Sequence, residues 1–235
     1  MTHNLSQCTT LIQKASAAGA KALFLPEASD YIASGKASET VSLAKPVETS
    51  EFVIGIQEQA KKQKLPVNVG VHEPTASGGK VKNTLLWIDA EGQITHRYQK
   101  LHLFDVEIKD GPILKESNGV ERGSRIEDPV DTPVGKVAHW ETLLRARAIE
   151  TQSYVIAAAQ VGCHNEERTR RSYGHSMIVD PWGKVLAELG GEEDEKGRGL
   201  DVGEIALAEI DLEYLEKVRR EVPLLRRTDV YPEFA

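Results

Sequence analysis

The chain has 235 residues, 40% of them hydrophobic and 28% charged, with a formal net charge of −7, which fits one globular domain of generous size or two small ones. That acidic balance gives no basic field for nucleic acid or anionic lipid, and no apolar run reaches the ~20 residues of a membrane helix. Two cysteines, Cys8 and Cys163, are too few for a disulfide scaffold and lack metal-ligand spacing, so a reducing, cytoplasmic compartment is the default.

Residues 4–18 place Leu5, Cys8, Ile12 and Ala15 at helical spacing and stop at Gly19, which predicts an amphipathic helix. Its start, Met1-Thr-His-Asn-Leu5, has no charged and apolar leader and the first arginine is Arg97, so neither a secretory signal nor a transit peptide is expected. Residues 22–25 are a short apolar run, predicting a strand buried on both faces. A second helix is expected over 48–63, followed by a valine-rich alternating strand over 65–72 and a loop over 74–79. Residues 83–89 and 93–98 flank Ala90-Glu-Gly92 and read as a hairpin.

Residues 105–133 read as irregular, punctuated by Pro112, Asn118-Gly119, Gly123 and Pro129. A helix is expected over 139–152, a buried strand over 154–160 and a second hairpin over 176–180 and 184–188 around Pro181-Trp-Gly183. Residues 190–199 are a charged loop, 204–211 a strand and 212–220 a short helix; the tail from Val222 has apolar residues without periodicity. Interleaved helices and hairpins predict an α/β fold with mixed sheets. One junction breaks the pattern. Pro133-Val-Gly-Lys-Val137 opens like a strand yet runs straight into the helix near His139, with no turn residue and no N-cap between them.

Several short segments occur together in a specific order. They are Phe24-Leu-Pro-Glu-Ala28, Tyr98-Gln-Lys-Leu-His102 with Leu103-Phe-Asp105, His139-Trp-Glu-Thr-Leu-Leu-Arg-Ala-Arg-Ala-Ile-Glu150, and Tyr173-Gly-His-Ser176 with Asp180-Pro-Trp-Gly183. In this combination the chain resembles the nitrilase, or carbon–nitrogen hydrolase, superfamily, nearest the deaminated glutathione amidase branch, over nearly its whole length. The resemblance implies an α-β-β-α sandwich forming one domain over 1–235, homo-oligomers built through helical faces, a small ω-amide as substrate and no cofactor. It implies Glu27 as general base, Lys100 as support for the oxyanion and Glu116 as an assisting carboxylate. Taken singly, Glu27 reads as a helix N-terminal or solvated residue, Lys100 as surface charge, and Glu116 is almost uninformative; their order together carries the assignment.

The resemblance also implies a nucleophilic cysteine after a stretch like Thr132-Pro-Val-Gly-Lys136. Here Lys136-Val137 abuts Ala138-His139, as though a unit of about 30 residues or more, with central strands and the cysteine, were deleted, and the first strand before residue 1 were missing as well. Thiol-dependent amide cleavage requires thiolate attack, a base for the thiol proton and donors for the oxyanion, and burial of Glu27 at a strand end is expected to raise its pKa toward working pH. Cys163 has His164 beside it, which lowers a thiol pKa, but the corresponding family loop holds no nucleophile. Cys8 falls in the buried stripe of the first helix. Gly174-His-Ser176 is half a nucleophile elbow and reads instead as the start of a buried strand, and the seven histidines form no metal-binding set. Three outcomes stay open: an amidase, a catalytically inactive member that scaffolds or binds carboxylates through Lys100, and a mis-spliced or mis-predicted product.

Overall fold

The computed structural model of the chain describes residues 1–33, 37–107, 113–124, 139–164, 170–191 and 203–224. The predicted junction at 136–138, most of the charged loop 190–199 and the tail beyond residue 224 lie outside these residues. The first helix, α1 (Thr2–Ala17), buries Cys8, Ile12 and Ala15, one stripe at helical spacing. Helix α2 (Ala37–Leu43) lies in a stretch for which the sequence suggested no element. Helix α3 (Glu51–Gln63) starts where the Ser50 side chain accepts from the Val53 N–H, ends at Lys64 in the left-handed region, and buries Phe52, Val53, Ile56 and Ala60.

The larger sheet contains β1 (Leu23–Phe24), β2 (Val67–Pro74), β3 (Val81–Ile88) and β4 (Ile94–Gln99) in that order. Strands β1 and β2 run parallel, while β2–β3 and β3–β4 are antiparallel. The expected buried strand at 22–25 is shorter and less enclosed than its apolar run suggested: only two residues pair, and Leu23 and Phe24 are half-buried. Val67, Val69 and Val71 of β2 and Leu86 and Ile88 of β3 face α1 and α3 in one core. The cross-strand pairs Val67↔Ile88 and Val69↔Leu86 fix the register. A slip by one residue would expose all three valines, each contributing about 1.5–3 kcal/mol when buried. Alternation therefore also fixes the opposite face, where Gly70, Leu85 and Tyr98 form one cross-strand row and His72 pairs with Asn83 in the next.

The region expected to be irregular holds short elements. Strands β5 (Asp105–Glu107) and β6 (Ile113–Lys115) pair antiparallel, a 3-10 turn spans Glu116–Asn118, and β7 (Val120–Glu121) pairs parallel with the start of β3. Such two- and three-residue strands are fixed by their partners, not by their own periodicity.

A second core forms where helix α4 (Trp140–Thr151) covers the sheet β12–β11–β8, made of β8 (Val155–Ala157), β11 (Met177–Val179) and β12 (Val185–Glu188). Leu144, Ala148, Ala157, Met177 and Val179 fill it. His139 gives α4 no side-chain cap, in keeping with the missing N-cap in the sequence. Strands β9 (Val161–Cys163) and β10 (Arg171–Tyr173) form a separate antiparallel pair. The strand expected over 204–211 does not form: residues 203–211 belong to no helix or strand and have no strand partner among the described residues. The alternation there has another cause. Ile205 packs on the first core, while the Tyr154 hydroxyl exchanges hydrogen bonds with the backbone of Asp211. Helix α5 (Leu212–Glu221) then starts at the Asp211 cap and ties back through Arg219, whose Nε donates to the Gln152 carbonyl at 3.2 Å. No described helix is long and apolar enough to cross a membrane.

Candidate active site

Glu27 leaves β1 on a turn stitched to β2. The Gly70 N–H donates to the Pro26 carbonyl at 3.3 Å, and the Ser29 N–H donates to the Gly70 carbonyl at 2.8 Å. Between them Ala28 adopts φ 54°, the left-handed conformation that non-glycine residues rarely take. Buried Asp30 anchors the far side of this turn. Its carboxylate accepts from the backbone N–H groups of Tyr31 at 2.9 Å and His72 at 2.8 Å, and pairs with His72 Nδ1 at 3.0 Å. The turn and the strand are so close that a Cβ on Gly70 would sit 2.6 Å from Glu27 Cα and 3.0 Å from the Ala28 nitrogen. Both are backbone atoms and cannot swing aside. Gly70→Ala is therefore expected to cost about 1–3 kcal/mol as an overpacked contact and to shift Glu27. Urea unfolding, read with the chemical shift of the Glu27 carboxylate, checks both, and an unmoved Glu27 signal would count against the contact.

Lys100 directly follows β4, where its N–H donates to the Asn83 carbonyl at 2.9 Å and its carbonyl accepts from the Gly123 N–H at 3.0 Å. Its ammonium reaches Glu27 Oε1 at 2.8 Å and Glu116 Oε1 at 3.1 Å. Glu116 opens the 3-10 turn, and its Oε2 accepts from the Phe104 N–H at 2.6 Å. The turn after β1, the end of β4 and the 3-10 turn thus meet at one ammonium, bringing together the three residues singled out in the sequence. Lys100 has 12% of its side chain exposed, Glu116 18% and Glu27 49%. Glu27, Gly70, Asn83, Leu85, Tyr98 and Lys100 line a small cleft open to solvent.

The electrostatics run opposite to the sequence expectation for Glu27. Burial does push its carboxyl upward. The charge and hydrogen bond of Lys100 nevertheless prevail, helped by the hydrogen bond from Asn83 and the charge of His72, and hold it below the ordinary carboxylate value of 4.5. Burial likewise pulls the Lys100 ammonium down, yet Glu27 and Glu116 together hold it above its ordinary 10.5. The pair is ionised at neutral pH, with the carboxylate in the form that accepts a proton.

Sequence reasoning missed Asn83. It is buried, and its Nδ2 donates to Glu27 Oε1 at 2.5 Å. An asparagine inside an otherwise apolar strand was the available signal, because strands are depleted of it. Gly70, Leu85 and Tyr98 had no signal beyond alternation. Gln160 was missed as well; its Nε2 donates to the Glu27 carbonyl at 3.1 Å and the Ala28 carbonyl at 3.3 Å, so the segment between β8 and β9 touches the turn that carries Glu27.

Neither cysteine of the chain lines the cleft. Cys8 sits in the first core, where burial, and secondarily the charge of Asp30, pushes its thiol up to about 12, which makes it inert. Cys163 lies in β9 opposite Arg171. Ser176 is held against the segment after β8, its hydroxyl accepting from the Ala159 N–H at 3.0 Å, and β11 begins at Met177, so the half-elbow leads into a strand. No group of three or more His, Cys, Asp or Glu side chains that could hold a metal occurs among the described residues.

The carbon–nitrogen hydrolase family model matches residues 1–138 and 137–220. The "Probable hydrolase nit2" of Schizosaccharomyces pombe is 43% identical over 267 residues, covering 97% of this chain and 93% of that protein. The "Deaminated glutathione amidase" of Homo sapiens is 37% identical over 271 residues, covering 97% of this chain and 79% of that protein. Both aligned stretches are longer than the 235 residues available here. The crystal structure of the C. elegans NitFhit protein superposes with a TM-score of 0.82 at 34% identity, covering 97% of this chain and 62% of that one. The family model, the relatives and the superposition agree, and the chain belongs to the carbon–nitrogen hydrolase family.

Proposed function

We propose that the cleft takes a small ω-amide and that this chain holds such an amide without cleaving it. In this reading Lys100 donates to the amide oxygen, Glu27 receives a proton or an N–H, and Glu116 fixes Lys100. Deaminated glutathione, from the names of the relatives, is the leading candidate ligand. The carrying observation is that Lys100 is clamped between two carboxylates in a cleft whose lining contains no sulfur. The family reaction forms a bond from a cysteine sulfur to the amide carbon, releases the nitrogen as ammonia, and hydrolyses the thioester with water; only the first bond lacks its atom here.

A deletion of the nucleophile segment accounts for this. In its favour, the family match divides at residues 137–138, where the sequence shows its odd junction, and the aligned relatives need more positions than this chain has. We further infer one domain over 1–235, with its central strands shortened by that deletion, acting in the cytoplasm. Exposed Leu143 and Ile149 on α4, with Trp182 nearby in sequence to the Gly183 that packs on Ile149, support homo-oligomers through helical faces.

Incubation with a small ω-amide followed by acid quench and intact-mass measurement tests the reading. The expected result is unmodified protein, together with amide-dependent shifts in the backbone NMR signals of Gly70, Asn83 and Lys100. A stoichiometric acyl adduct would overturn the loss of cleavage. An unchanged spectrum would overturn the binding. Sequencing the transcript across Lys136–His139 tests the deletion separately.

A further inference from the structure

Gln160 reaches across the chain to the turn that carries Glu27. Glu27 falls in the first stretch matched by the family model and Gln160 in the second. The Gln160 Nε2 donates to two successive carbonyls, that of Glu27 at 3.1 Å and that of Ala28 at 3.3 Å. Those carbonyls flank Ala28, whose φ of 54° helps set their relative direction. An extended residue would point them to opposite sides. The left-handed conformation turns both to one side, where their dipoles repel unless a donor sits between them. An alanine keeps this conformation only where its surroundings enforce it.

The arm that delivers Gln160 is itself held from behind. The Gln160 carbonyl accepts from the Gly174 N–H at 3.0 Å. Next to it, the Ala159 N–H donates to Ser176 Oγ at 3.0 Å, and the Ser176 hydroxyl returns a bond to the Ala159 carbonyl at 3.3 Å. Between Gly174 and Ser176, the His175 carbonyl accepts from Trp140 Nε1 at 2.7 Å, which ties the arm to the start of α4. Gly70 and Asp30 fasten the same turn on its β2 side. The turn is therefore gripped from both cores, and the grip from the second core falls on the strained residue next to Glu27.

We propose that Gln160 is a positioning residue for Glu27: by bridging the two carbonyls it holds Ala28 left-handed and so sets where the Glu27 carboxylate stands in the cleft. The placement of the proton acceptor then depends on the second core, although the cleft lining comes from the first stretch of the chain.

Carbon-detected NMR titration of the Glu27 carboxylate tests this. It needs no ligand, so its outcome is independent of what the cleft binds. Gln160→Leu is expected to move the Glu27 titration upward, because the released turn carries the carboxylate away from Lys100 and Asn83, which hold it down. Ala28→Gly takes the left-handed conformation without strain, so Gln160→Leu is expected to shift Glu27 less in that background. A merely structural role would lower the urea midpoint and leave the Glu27 titration where it stands. That result, or a shift of equal size with and without Ala28→Gly, overturns the proposal. Should Gln160→Leu fail to fold, hydrogen exchange in the unmodified protein decides. The Gln160 side-chain N–H protons are expected to exchange more slowly than those of exposed Gln13, and equal exchange overturns the assignment.

Discussion

Ammonia release from a small ω-amide by this protein is expected to fall on the order of 10⁶ below that of a family member with its nucleophile, which is the scale on which removing a triad nucleophile acts. The remaining groups do not compensate. Glu27 is held ionised by Lys100, with its pKa lowered, so it is a weak base toward water. Lys100 can stabilise an oxyanion only after something has attacked the carbonyl. Neither thiol is a substitute, since Cys8 is buried in the first core with its pKa raised to about 12 and Cys163 does not line the cleft. Cys163→Ala is therefore expected to leave the residual rate unchanged. An enzyme-coupled ammonia assay under single-turnover conditions checks this. Turnover abolished by Cys163→Ala would show that β9 delivers its thiol to the cleft and would remove the argument for a binding role.

Replacing Lys100 with methionine is expected to destabilise the protein by about 2–3 kcal/mol at pH 7, and by much less at pH 4. Breaking a buried ion pair on one side typically costs about 3–5 kcal/mol; Glu27 is half exposed, and solvent screening reduces that cost. The sign follows from the direction of the shift. Glu27 sits below its ordinary 4.5 in the folded protein, so its contribution is fully present above that value and is lost as pH falls through the folded pKa. Without Lys100, burial and the neighbouring Glu116 push Glu27 upward instead, and protonation then favours the folded variant. The two stability curves converge on acidification. Urea unfolding of both proteins at pH 7 and pH 4 measures this. A loss that is equal at both pH values would mean that only packing of the lysine stem was removed, and that the ion pair contributes nothing.

The sequence determined the elements whose burial is periodic. Helix α1 formed where Cys8, Ile12 and Ala15 repeat, and the β3–β4 and β11–β12 hairpins formed around their Gly-containing turns, because such signals are local and need no partner. It failed where pairing or packing is remote. The two-residue strands β1 and β7 exist only through β2 and β3. The alternating residues 204–211 pair with no strand among the described residues, and only Ile205 packs on the first core.

The candidate site divides the same way. Glu27, Lys100 and Glu116 were legible because each stands in a short motif in fixed order, as was the absence of a third cysteine. What they do to one another was not. The lowered pKa of Glu27, against an expectation of a raised one, depends on an ammonium 73 residues away in sequence. The part played by Asn83 depends on a strand register that places it beside the same oxygen. Residue types and their order are written in the chain, but the balance between burial and charge is set by distances of about 3 Å that only the folded chain defines.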